Sequence, residues 1–344
     1  MRLNYFVALL LAVAVGSASA QTNLNGAGAT FPNPIYQKWF TEYHNQHPDI
    51  TINYQSKGSG AGIKQLQSGT VDFGASDGPM NDQQLSETPF KVFHIPTVLG
   101  AVVPTYNVPG VSGELKFTGD VLADIYLGKI KKWNDPRLAK ANPGVKFPDT
   151  EIIVVHRADG SGTTYIWTDY LSKVSPDWAA GPKKGTSIGW PTGIGQQGNE
   201  GVAGFVKQNE GAIGYVELIY ALSNNMAYGS VQNAAGQFVK ASLESVTTAA
   251  GSVKDMPDDF RVSITNAPGK GAYPISSFTW LLVPAEWADA GKEKAFVNFL
   301  SWMVDQGQGM TSNLSYAPLP KTVAAKVKAR IKEIKVKDNK QAKK

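Results

Sequence analysis

The 344-residue chain carries 33 Lys or Arg against 28 Asp or Glu, a formal net charge of +5, and no cysteine. Without cysteine it has no disulfide framework, no thiolate nucleophile and no site for a lipoprotein anchor, so its stability must come from apolar burial. The positive excess is concentrated in Lys321–Lys344, which holds ten Lys or Arg against Glu333 and Asp338; the remaining body is close to neutral, which argues against nucleic acid as a partner.

Arg2, the apolar run Phe6–Val15 and the small residues Ala18-Ser19-Ala20 have the layout of a secretory signal peptide over residues 1–20. The run is too short to span a bilayer. The mature protein is therefore expected to begin at Gln21, exported and soluble, and its length calls for two lobes. Short β-rich runs alternate with helical patterns, which predicts α/β architecture. Strands are expected at Ile50–Tyr54, Val71–Ala75, Val98–Tyr106, Ile152–His156 and Ala212–Val216. Tyr36, Trp39, Phe40 and Tyr43 recur at helical spacing, as do Trp167, Tyr170, Leu171 and Val174, and both stripes read as core-facing. Residues 227–270, small and polar, read as loops and surface helices. From Lys321 to about Val336 the pattern is helical, with Val323, Val327, Ile331 and Ile334 on one face and a solvated lysine face opposite.

Four glycine-rich turns punctuate this plan. Gly26-Ala-Gly-Ala-Thr30-Phe31-Pro32 leads into the Tyr36 helix, and Lys57-Gly-Ser59-Gly-Ala-Gly62 leads into a second. Arg157-Ala-Asp159-Gly-Ser161-Gly162-Thr163 separates a buried strand from the Trp167 helix, and Gly74-Ala-Ser-Asp77-Gly-Pro79 ends a strand. The first turn of a helix leaves backbone N–H groups without partners and carries the positive end of the macrodipole. Glycine admits a ligand to that backbone, and Ser or Thr adds an O–H donor. Any one such hydroxyl is explained by capping its own helix; three, with an arginine at a strand end, point to an oxyanion site.

Arg157 supplies the charge, and its planar fork suits a tetrahedral oxyanion. Asp159 either holds that guanidinium or caps the helix. Asp77 is harder to place, because a carboxylate repels an anion unless the anion brings a proton. Phosphate does so near neutral pH, its esters having a second pKa of about 6. Sulfate does not, and would meet an unpaired buried charge.

These blocks together resemble the Pst substrate-binding family of high-affinity phosphate ABC transporters. The resemblance rests on G-A-G-A-T-F-P at 26–32, V-D-F-G-A-S-D at 71–77, D-I-Y-L-G-K-I-K-K-W at 124–133, R-A-D-G-S-G-T at 157–163, G-A-I-G-Y-V-E at 211–217 and Y-A-P-L-P at 316–320. It implies a two-lobed periplasmic-binding-protein fold, type II-like, with a hinge and an interlobe cleft, in a periplasmic and monomeric protein. Residues 21–100 with 274–344 would form one lobe and 101–273 the other, the chain crossing near Pro96–Pro104 and returning near Tyr273–Leu282. It further implies that inorganic phosphate is held by Thr30, Phe31 (through its backbone N–H), Ser59, Asp77, Arg157, Ser161, Gly162 and Thr163, with Asp159 orienting Arg157. Membrane permease subunits would be the partners, and neither cofactor nor metal is implied. The chain departs from the family pattern at Gly60, where serine is common, and at Gly78, where alanine is common.

Three other readings compete. A hydrolase would use Ser59 or Ser161, yet neither sits in Gly-x-Ser-x-Gly, and His44, His47, His94 and His156 lack metal-ligand spacing. Another oxyanion binder conflicts with Asp77. An adhesive role leaves four placed turns unexplained.

Overall fold

The computed structural model describes residues 21–111 and 113–337, so the signal-peptide reading of residues 1–20 and the lysines after Lys337 lie outside the described residues. Nine strands form a mixed sheet: β1 (Thr22–Gly28), β2 (Ile50–Ser56), β3 (Phe73–Ser76), β4 (Val92–Tyr106), β5 (Ile153–Arg157), β6 (Ile194–Gln196), β7 (Ala212–Glu217), β8 (Ala227–Tyr228) and β9 (Ser276–Pro284). Their order is β2-β1-β3-β9-β4-β7-β5-β6, with β8 also beside β4. β1 runs parallel to β2 and β3, and β5 runs parallel to β6 and β7. β9 is antiparallel to both of its neighbours.

β4 joins two groups of strands. All fifteen of its residues are buried, as a strand covered on both faces requires. Val92–Ala101 pair with β9, whereas Val102–Tyr106 pair with β7. The chain returns alongside this change of partner, where the Val102 N–H donates to the Ile275 carbonyl at 2.9 Å. Pro96, which has no N–H to give a ladder, coincides with a register shift that leaves Thr97 without an opposite residue. Thr97 meets the Tyr36 hydroxyl at 3.0 Å instead.

The helices that flank the sheet include α1 (Asn33–Gln46), α2 (Ser59–Gln67), α3 (Gly162–Val174), α4 (Gly198–Gln208), α5 (Ala290–Asp305) and α6 (Lys321–Ile331). Both aromatic stripes face the core. On the first, Phe40 meets Phe299 of α5 at 5.4 Å between ring centroids, beside Phe73 of β3, which meets Phe296 of α5 at 4.7 Å. On the second, Trp167 stacks on Tyr215 of β7 at 5.0 Å. The start and the end of the chain thus pack around β1–β3, while the middle packs around β5–β7.

The structure corrects the sequence reading in several places, among them β9, a strand at Ser276–Pro284 that the sequence did not show. β1 at Thr22–Gly28 was not expected and runs into the Gly26–Pro32 stretch read as a turn, because Gly26, Ala27 and Gly28 carry little strand signal. The C-terminal helix stops at Ile331, and Lys335–Val336 form a short strand against Glu286–Trp287. Residues 227–270 contain strands Ser230–Gln232 and Phe238–Val239 as well as a helix, Leu243–Ala250. Strands of two or three residues are too short to show a period.

Candidate anion-binding site

The expected site residues lie at or just beyond the C-terminal ends of strands, most of them where a parallel strand hands over to a helix N-terminus. Thr30 and Phe31 join β1 to α1, Ser59 opens α2, Asp77 follows β3, and Arg157 to Thr163 join β5 to α3. All eight are buried. The two strand groups meet across them. The Gly162 N–H donates to Ser59 Oγ at 3.0 Å, and the Gly60 N–H donates to the Gly160 carbonyl at 2.9 Å. A Cβ at Gly162 would stand 2.5 Å from Ser59 Oγ, so only glycine permits this approach. At Gly60 an added Cβ would stand 3.1 Å from the Gly160 Cα, so the chain's departure from serine suits the close packing here.

Asp159 holds the guanidinium and does not cap α3. Its Oδ1 accepts from Arg157 Nε at 2.7 Å, and its Oδ2 pairs with Arg157 Nη2. The Gly198 N–H donates to the same carboxylate at 3.0 Å. One side of the fork is thereby occupied, leaving the Nη1/Nη2 end for a ligand, with Nη1 3.4 Å from Thr163 Oγ1. The charge of Arg157 is balanced by Asp159, so what the site offers an anion is oriented donors more than net charge.

The hydroxyls divide according to capping. Ser161 Oγ accepts from the Thr164 N–H at 3.0 Å and caps α3. Thr30 and Ser59 cap nothing, since neither α1 nor α2 has a side-chain cap. Ser59 Oγ accepts instead from the N–H groups of Asp77 (3.2 Å) and Gly162 (3.0 Å). With both lone pairs engaged, its hydrogen is what it has left to give. The nearest acceptor is Asp77 Oδ2 at a long 3.5 Å.

Asp77 Oδ1 accepts from Thr279 Oγ1 at 2.8 Å, while Oδ2 has only the distant Ser59. Burial pushes this carboxyl up to about 7, against the lowering effects of Thr279 and of the Arg157 charge. The group is thus poised to hold or release a proton near neutrality.

No histidine serves the site as a base. His94 Nε2 accepts from the Met80 N–H at 3.0 Å, and His156 stacks on Trp190 at 4.7 Å with Nδ1 toward the Arg157 carbonyl. Among the described residues, no cluster of His, Asp and Glu has the makings of a metal site.

Sequence reasoning missed several participants. Thr279 reaches Asp77 from β9, and Tyr220 donates to the Thr30 carbonyl at 2.6 Å. Asn199, at the start of α4, contacts both Thr30 and Thr163. Each lies far along the chain from its partner, and only the Gly-Asn-Glu-Gly run at 198–201 offered any sequence signal.

Residues 13–306 match the PBP superfamily domain. The chain is 46% identical to the phosphate-binding protein PstS of Xylella fastidiosa (strain Temecula1 / ATCC 700964) over 89% of its own length and 84% of the relative's. It is 44% identical to PstS of Pasteurella multocida (strain Pm70) over 97% of both. The chain belongs to the PstS family. Solved structures agree on the fold. A high affinity periplasmic phosphate-binding protein (PfluDING) bound with phosphate superposes with a TM-score of 0.73 at 21% identity, over 90% of this chain and 93% of that one. An ABC-type phosphate transport receptor from Vibrio cholerae gives 0.57 at 18% identity, over 86% and 100%.

Proposed function

We propose that this protein is an exported receptor that captures inorganic phosphate between two lobes and delivers it to the membrane subunits of an ABC importer. The observation that carries this reading is the buried ring of donors around Arg157, contributed by both strand groups, with one buried carboxylate, Asp77, among them. Its relatives in the PstS family are named for phosphate binding.

The ligand would take the free end of the Arg157 guanidinium, the hydroxyl protons of Thr30, Ser59 and Thr163, and backbone N–H groups at Phe31 and in the Ser161-Gly162-Thr163 turn. Asp77 Oδ2, short of partners, would accept the proton that phosphate brings. Sulfate, having none, would be rejected unless Asp77 itself took up a proton.

The lobes in this reading are residues 21–100 with 274–344, and residues 101–273. On this division the chain would cross near Ala101–Val102 and return near Tyr273–Ser276, segments that the Val102 N–H bonds together through the Ile275 carbonyl. Such a pair of strand crossings forms a hinge, and ligand contacts made to both lobes favour the closed arrangement.

Calorimetric titration of phosphate-stripped protein with phosphate, sulfate and arsenate tests the proposal, with Arg157→Ala as control. Tight phosphate binding that Arg157→Ala loses supports it. A wild-type protein that binds no phosphate overturns it and turns attention to hydrolase and adhesion assays.

A further inference from the structure

We propose that Asn199 is a positioning residue that turns the hydroxyl protons of Thr30 and Thr163 into the cleft, one from each lobe. The inference rests on the phosphate-receptor reading above. A hydroxyl offers one hydrogen and two lone pairs, so an oxygen that already accepts twice has only its hydrogen left. Thr30 Oγ1 accepts from Asn199 Nδ2 at 2.7 Å and from the Asn199 backbone N–H at 3.3 Å. Thr163 Oγ1 accepts from Asn199 Nδ2 at 3.2 Å and from Arg157 Nη1 at 3.4 Å. One buried amide therefore occupies a lone pair on each threonine and leaves both as pure donors toward an anion.

The orientation of this amide is fixed by a group that cannot accept. The Glu217 N–H lies 2.9 Å from Asn199 Oδ1. A backbone N–H only donates, so the facing atom is the amide oxygen and the opposite end is the NH2 group. Glu217 is itself immobilised. It stands opposite Val102, where β4 changes partners, and its Oε2 accepts from the Ile219 N–H at 2.7 Å. Asn199 is fully buried, so an amide turned the wrong way would have no water to satisfy it.

This arrangement links closure to recognition. Thr30 belongs to the β1–α1 turn and Asn199 to α4, on opposite sides of the cleft. In an open cleft the Thr30 hydroxyl loses both Asn199 donors and rotates freely among water partners. Closing the cleft restores them and preorganises the donor before an anion is fully enclosed.

The test is a double-mutant cycle read by phosphate calorimetry. Asn199→Leu is expected to weaken phosphate binding by about 10- to 100-fold in the otherwise wild-type protein. In the Thr30→Val/Thr163→Val background it is expected to cost less than about 3-fold more, because the hydroxyls it acts through are gone. Asn199→Asp is similar in shape and keeps an acceptor for Glu217, but draws both hydroxyl protons onto its own carboxylate. It is expected to lose at least as much affinity as the leucine variant, and it carries the test if that variant does not fold. Equal cost in both backgrounds, or wild-type affinity in either single variant, overturns the inference. A wild-type protein that binds no phosphate overturns the receptor reading as well, so the two failures are distinguishable.

Discussion

Replacing Asp77 with asparagine keeps the side chain's shape and removes its ability to ionise. In the wild type, burial pushes this carboxyl up to about 7. Below that pH it carries a proton and is able to donate to sulfate; above it, sulfate binding requires the carboxylate to take a proton from solvent. Each pH unit above the midpoint costs sulfate about 1.4 kcal/mol, a factor of about ten. Phosphate dianion keeps one proton of its own and donates it to the ionised Asp77 without uptake, so it avoids that cost. Since the group is already half ionised at its midpoint, the preference for phosphate over sulfate is expected to widen about 50-fold between about pH 7 and pH 9, through loss of sulfate affinity. In Asp77→Asn the widening is expected to vanish, since the amide donates to either anion at any pH. Competitive calorimetry with both anions across this range measures the slope. A wild-type sulfate affinity that stays flat above neutrality would refute the reasoning, as would an equal slope in Asp77→Asn.

The same carboxyl contributes to the pH dependence of the ligand-free fold. Its folded midpoint of about 7 lies above the ordinary 3.8, so the folded state binds the proton more tightly and stability falls as pH rises from the lower value through the higher one. The full loss is on the order of 4 kcal/mol, and Asp77→Asn should raise the melting temperature of phosphate-free protein at about pH 8 but not at about pH 4. Gly58 holds φ +96° with the space for a Cβ taken by Asp159 Oδ2. Gly58→Ala should therefore hold the cleft open, and small-angle scattering should show a smaller compaction on adding phosphate than in the wild type; full compaction would count against a hinged closure at this contact. Arg157→Lys loses both the fork that Asp159 holds and the free guanidinium end. It should weaken phosphate binding by about 3 kcal/mol, roughly 100-fold, in the same calorimetric assay.

Local chemistry made much of the site legible in the sequence. Glycine-hydroxyl turns before apolar helical stripes mark helix N-termini whatever the surroundings, and an arginine followed two residues later by aspartate is close enough to pair along the chain. Those rules found Arg157, Asp159, Ser59 and Thr30. They could not tell which hydroxyls were spent on capping: Ser161 caps α3, while Thr30 and Ser59 do not. That distinction depends on whether the backbone enters the helix one residue before or after the hydroxyl, a matter of dihedral angles.

β1 was missed because its small residues are held as a strand by parallel neighbours on either side, and β9 because it is buried between two antiparallel neighbours, β3 and β4, through contacts far apart in sequence and shows no apolar–polar alternation. Thr279, Tyr220 and Asn199 reached the site by the same long-range route. The sequence by itself determined the donor-rich character of the turns, since that follows from glycine, hydroxyl and guanidinium chemistry. The tertiary structure alone decided that the turns face one another, that burial pushes Asp77 toward neutrality, and that a single amide directs two threonines. Proximity across the fold and removal from water belong to no residue in isolation.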